Sequence, residues 1–100
     1  MNFEVHFASA AQADIDHIFD YICTTLASPI AATNLLEKIQ ESLDTLSDFP
    51  EAFAVHQEEP WFLREVRVMP VDNYRLFYHV NHKSKQVVVL RVFYYKQKTK

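Results

Sequence analysis

Three stretches near the C-terminus decide the fold: Arg64-Glu65-Val66-Arg67-Val68-Met69-Pro70-Val71, Tyr74-Arg75-Leu76-Phe77-Tyr78-His79-Val80, and Gln86-Val87-Val88-Val89-Leu90-Arg91-Val92-Phe93-Tyr94. Each is rich in β-branched and aromatic residues and each is bounded by turn formers, Asp72-Asn73 and Asn81-His82-Lys83-Ser84. Short breaks of this kind join neighbouring antiparallel strands, so the three runs predict two consecutive hairpins, a β-meander. Pleat parity then sorts the side chains. Val66 and Val68, Leu76, Tyr78 and Val80, and Val88, Leu90 and Val92 form an apolar set expected to meet the rest of the core. The opposite parity assigns Arg67, Arg75, Phe77, His79, Arg91 and Phe93 to an open face.

Upstream of the meander the periodicity changes. Phe3-Glu4-Val5-His6-Phe7 alternates apolar and polar, the pattern of a half-buried strand. Ser9 precedes Gln12 by the spacing of a capping box. An apolar stripe then runs through Ile15, Ile18, Phe19, Ile22 and Leu26, with Cys23 alongside and Asp14, Asp16, His17 and Asp20 on the wet side. Ser28-Pro29 opens a second helix, whose stripe is Leu35, Leu36, Ile39, Leu43 and Leu46 and which must end before Pro50. Residues 50–63 read as a loop from helix to sheet, with Trp61 and Phe62 closing one end of the core. The order β-α-α-β-β-β predicts an α+β fold in which an antiparallel helix hairpin packs on one face of the meander.

The chain has 100 residues, enough for one core, so residues 1–100 read as one domain. No apolar run approaches the roughly 20 residues that cross a bilayer, and Met1-Asn2-Phe3-Glu4 does not look like a signal peptide. With a single cysteine, Cys23, an internal disulfide cannot form. These features predict a cytoplasmic protein without membrane partners. Glycine is absent, which excludes Gly-rich phosphate loops and dinucleotide fingerprints and leaves positive-φ turns to costlier residues. The five histidines lack metal-ligand spacing, so no metal and no cofactor is expected.

The net charge of −3 hides a division. Residues 1–60 hold eleven Asp/Glu and one lysine, a formal −10, whereas residues 61–100 hold nine Lys/Arg and two acids, a formal +7. Such separation suits a face that attracts anions, although helices with acidic wet sides and hairpins with basic ones would give the same count. Arginines interleaved with aromatics suit phosphate or carboxylate groups and bases, and they suit an acidic protein segment equally well.

The run Pro70-Val71-Asp72-Asn73-Tyr74-Arg75-Leu76-Phe77-Tyr78-His79-Val80, followed by Val87 to Tyr94, resembles the signature of RelE/ParE toxins of bacterial type II toxin–antitoxin modules. Ala11, Asp14, Ile15, Ile18, Tyr21 and Ile22 in the first helix resemble the family's opening, as do Ala31-Ala32 and the Leu46, Phe49-Pro50 exit. The resemblance implies neutralisation by a cognate antitoxin lying along the toxin, in a complex that can be oligomeric, and a role in plasmid stabilisation. It implies one of two targets. RelE-like members cut messenger RNA on the ribosome, and ParE-like members block DNA gyrase.

By position, Arg75 matches the RelE-like catalytic arginine, Arg67 a catalytic lysine and Lys96 a basic position after the last strand. Glu65 reverses the charge of the other lysine, and Tyr94 or Tyr95 would have to replace the missing terminal tyrosine. RNA cleavage also needs an acid–base pair, which the sequence does not offer, and a pI near 5.9 suits ribosomal RNA poorly. The ParE-like branch is therefore favoured, with the RelE-like nuclease and a non-toxic antitoxin-binding remnant as alternatives. The partner-binding set is expected to be Arg67, Arg75, Phe77, His79, Arg91 and Phe93.

Overall fold

The computed structural model describes residues 2–59 and 64–95. Strand β1 (Glu4–Phe7) leads into helix α1 (Ser9–Asp20), which continues as a π-helical turn over Tyr21–Thr25. Helix α2 (Pro29–Asp48) follows, and the chain ends in strands β2 (Arg67–Val71), β3 (Tyr74–Asn81) and β4 (Gln86–Tyr94). The four strands form one sheet in the order β1-β4-β3-β2. The meander is antiparallel, as expected, and β1 joins it in parallel against the first half of β4. The fold is α+β, with both helices on one face of the sheet. Trp61 and Phe62 lie outside the described residues.

Local chemistry explains the element ends, with one exception. Ser28 caps α2, its hydroxyl accepting from the Ala31 N–H at 3.4 Å, and Pro29 fills the first turn, where a missing donor costs nothing. The box expected at Ser9 does not form: Ala8 is the N-cap, without a side-chain bond, and the Gln12 amide donates to Asp16 instead. Without glycine, left-handed backbone falls on Ala27 (φ 50°), Glu65 (53°), Asp72 (52°) and Lys85 (54°). Asp72 suits that conformation; a Cβ at the other three costs roughly 1–2 kcal/mol each.

The main core lies between helices and sheet. Ala11, Ile15, Ile22, Ala32, Leu35, Ile39 and Leu46 meet Met69, Val71, Leu76, Tyr78, Val87, Val89 and Val92. Full burial of a large apolar side chain is worth roughly 1.5–3 kcal/mol, so this layer holds the fold. The strand assignments differ from pleat parity in two places. In β2, Met69 sits opposite Leu76 and Arg67 opposite Tyr78, so the helix-facing residues are Met69 and Val71, whereas Val66 and Val68 point away. Both parities of β2 are apolar, so period two alone could not choose.

In β4, Phe77 pairs with Arg91 while Tyr78 pairs with Val89, leaving Leu90 as an extra residue. This bulge switches parity along the strand. Val87 and Val89 face the helices before it and Val92 after it, while Val88 and Leu90 turn to the far face.

Candidate functional site

The far face is not a solvated plane. Val66 (0% exposed), Phe77 (2%) and Phe93 (6%) form a second small core, flanked by Val68 and Leu90. The Phe77 and Phe93 rings meet edge to face with centroids 5.3 Å apart, and the His56 ring lies 5.3 Å from Phe77. His56 is placed there by the segment before β2. Its N–H donates to Val66 O, and Val55 bridges to Arg67, so residues 54–56 run along the edge of β2. Phe77 and Phe93 are therefore packing residues of this face, where the sequence suggested exposed contacts.

The predicted arginines are dispersed. Arg67 shares the pleat of Met69 and Val71 and lies on the helix side, against the expectation of parity. Its guanidinium donates to Phe53 O at 2.7 Å and to Glu51 at 3.3 Å, and the same Glu51 oxygen lies 3.3 Å from His82. Arg75 shares the far-face pleat of Phe77. It donates to Tyr74 O at 2.9 Å and sits over the Tyr95 ring, 5.7 Å from its centroid. Arg91 lies over the Phe93 ring at 4.6 Å, on the same face. His79 occupies the other end of that face, beside Val88. Lys96 lies outside the described residues.

Arg91 is also one half of the best-made polar contact between helix and sheet. Its Nε and one terminal nitrogen donate to the two oxygens of Asp14 at 2.8 and 2.9 Å, a bidentate fork. The Val92 N–H, past the end of β1, donates to the same carboxylate at 2.9 Å. Burial works to raise the Asp14 pKa. The bonds from Arg91 and Val92 and the charges of Arg91 and His17 outweigh it and hold the carboxyl below its ordinary value. Hydrogen bonding to Asp14 in turn raises the Arg91 pKa. Asp14, read from the sequence as a wet-face residue, is thus a structural anchor. A period of 3.6 placed it beside the stripe but could not show an unpaired strand N–H within reach.

Two concave surfaces flank these residues. On the helix side a groove of about 810 Å³ opens between α1, α2, the β2–β3 turn and the end of β4. Its walls carry Tyr21, Leu26, Tyr74 and Tyr94, of which Tyr21 is 52% and Leu26 55% exposed. The sequence put Leu26 on the buried stripe. The π-helical turn and left-handed Ala27 instead leave it at the surface. On the far face a shallower pocket of about 330 Å³ is lined by Arg64, Val66, His79, Val88 and Leu90. Arg64 was not among the candidate residues singled out from the sequence; it opens the first β-rich run, whereas β2 begins only at Arg67.

The described residues contain no group of three His, Cys, Asp or Glu side chains placed to hold a metal ion, and no described helix is long and apolar enough to cross a membrane. Cys23 is half-buried against the main core.

Residues 5–98 match the model of the ParE toxin of the type II toxin–antitoxin system parDE. The chain belongs to the ParE toxin family. Curated protein sequences yield no match. Solved structures with the same fold include the chromosomal ParDE toxin–antitoxin system from P. aeruginosa, at 22% identity and a TM-score of 0.71, over 92% of this chain and 95% of that one. The toxin–antitoxin complex RelBE2 from Mycobacterium tuberculosis is similar at 20% identity and a TM-score of 0.63, covering 94% and 92%. The RelE–RelB complex from Pyrococcus horikoshii follows at 17% and 0.61, over 98% and 100%. At these identities the structural likeness speaks for the fold that ParE and RelE toxins share.

Proposed function

We propose that this ParE-family toxin acts in the cytoplasm by inhibiting DNA gyrase and is neutralised by a cognate antitoxin. One observation carries the choice of gyrase over RNA cleavage: Arg67 and Arg75 lie on opposite faces of the sheet. Cleaving a phosphodiester requires cations converging on one developing charge, beside an acid and a base within hydrogen-bond reach. Here Arg67 is spent on Glu51 and Phe53 O, and Arg91 is held by Asp14. The family match and the likeness to the P. aeruginosa ParDE system support the same branch.

The antitoxin contact is proposed on the far face at Arg75, His79 and Arg91, with Phe77 and Phe93 as the buried support beneath. Arg67 leaves the set because it sits on the other side. Arg75→Ala is expected to weaken antitoxin binding by about 1.5–3 kcal/mol, the worth of a charged hydrogen bond. Calorimetry of the purified pair would read this, and an unchanged affinity would remove Arg75 from the interface. The target is tested by running gyrase supercoiling beside cleavage of ribosome-bound messenger RNA. Inhibited supercoiling with intact RNA is the expected result, and cut RNA with normal supercoiling would replace gyrase by the ribosome.

A further inference from the structure

The cations that the far face does not use internally gather at one end of it. Arg75 is laid along its own strand carbonyls and Arg91 is forked onto Asp14. The Arg64 and His79 side chains, by contrast, make no hydrogen bond or ion pair with any described residue, and both line the pocket of about 330 Å³. The rest of the lining is aliphatic. His79 pairs with Val88 on β4, and Val66 stands one residue ahead of the Arg67–Tyr78 pair, so Val66, His79 and Val88 make a row across three neighbouring chain segments. Leu90, the bulge residue, extends the apolar side of that row. Glu65 holds its left-handed backbone directly between Arg64 and Val66, at the bend where the chain enters the sheet.

We propose that Arg64 and His79 form a binding site for an acidic protein segment, taking a carboxylate between them while an adjoining aliphatic side chain covers Val66, Val88 and Leu90. A guanidinium offers a carboxylate two parallel donors, and the imidazole in the same pocket can add a third. The alternative ligand of such a face, single-stranded RNA, needs aromatic planes for its bases and several cations for its phosphates. Here the pocket offers one guanidinium and one imidazole against three aliphatic side chains, and Phe77 and Phe93 are only 2% and 6% exposed. The site adds a chemistry to the antitoxin contact proposed above and rests on that reading for the source of the segment.

The test uses the full chain and labelled synthetic peptides alternating Glu with Leu, beside versions carrying Gln or Lys for Glu and a single-stranded RNA oligomer. The Glu–Leu peptide is expected to bind in preference to the others, and Arg64→Ala and His79→Ala each to weaken it by about tenfold or more. Arg64→Glu should turn the preference toward the Lys peptide, an inversion that loss of folding cannot produce. Equal binding of the Gln peptide, preference for RNA, indifference to Arg64 or no binding at all would overturn the proposal. A natural antitoxin that binds the Arg64→Ala protein normally would overturn this site and leave the toxin–antitoxin reading standing. An antitoxin that binds neither protein would remove that reading instead.

Discussion

The two faces of the meander are built from the same three strands and meet different surroundings. Under the helices, Leu76, Tyr78, Val87 and Val89 are wholly buried together with Leu46 of α2. On the far face burial stops after Val66, Phe77 and Phe93, and the rest is half-exposed aliphatic surface edged by arginine and histidine. Strands usually state such a difference by alternating apolar and polar residues. This meander does not, because β2 and β4 are apolar on both parities. The difference teaches that the far face is a thin second core before it is a binding surface. Its aromatic residues stabilise the sheet, and on the proposed reading recognition falls to the cations at its margin.

The largest test of that view sets Phe77 against its neighbour Leu76, which points to the helices. If both faces are cores, Phe77→Ala should destabilise the protein by about 3–5 kcal/mol, in the range of the about 2–5 kcal/mol expected for Leu76→Ala. Urea denaturation of the two variants reads this directly. A loss below about 1 kcal/mol for Phe77, with the full loss for Leu76, would mean that the far face is open surface and that its aromatics are free to bind.

How far each face could be read in advance follows from the same residues. Element order, the helix hairpin and the meander were legible because the period changes sharply at Ser9 and again after Pro50. The far-face placement of Arg75, Phe77 and His79 was legible because Arg75 and His79 mark one parity of β3 and Leu76 and Val80 the other, and Phe93 shares the parity of Arg91 in β4. Arg67 was not, since Val66 and Val68 are as apolar as Met69 and Val71 and only cross-strand register decides between them. Leu90 was not, because a bulge inserts one residue without a glycine to mark it. Arg64 and the tyrosine-walled groove were invisible for a different reason. Arg64 opens the first β-rich run although β2 begins only at Arg67, and the groove joins α1, the π-helical turn, the β2–β3 turn and β4, which are far apart in sequence.

A smaller effect, on the joint between helices and sheet, concerns Asp14. Asp14→Ala leaves the Arg91 fork and the Val92 N–H without their acceptor, and should cost about 1.5–3 kcal/mol at neutral pH. The pH dependence gives a second reading. The Asp14 pKa is lower in the folded than in the unfolded state, so its contribution is complete above the unfolded carboxyl value of about 4 and is lost as pH falls through the folded one. The gap between wild type and Asp14→Ala should therefore narrow on acidification below about pH 4. A gap that stays constant would mean that Asp14 acts through shape alone and that the two faces are joined only by packing.

The smallest effect belongs to Tyr78, which carries the helix-side core to the exit of α2. Its hydroxyl donates to Pro50 O at 2.8 Å, in the same core cluster as Leu46. Tyr78→Phe keeps the ring and removes that one bond, so the expected cost is about 0.5–1.5 kcal/mol. Burial pushes the Tyr78 pKa up to about 12, with Arg67 and the Phe53 backbone pulling slightly the other way. A raised folded pKa means that the hydroxyl's contribution is whole below about pH 10, the ordinary tyrosine value, and is lost as pH climbs toward the folded value. Wild type should then lose its advantage over Tyr78→Phe in alkali, and the order of the two stabilities should reverse before that value is reached. Parallel alkaline curves would place water at the hydroxyl, and the helix-side core would then be no drier at this end than the far face.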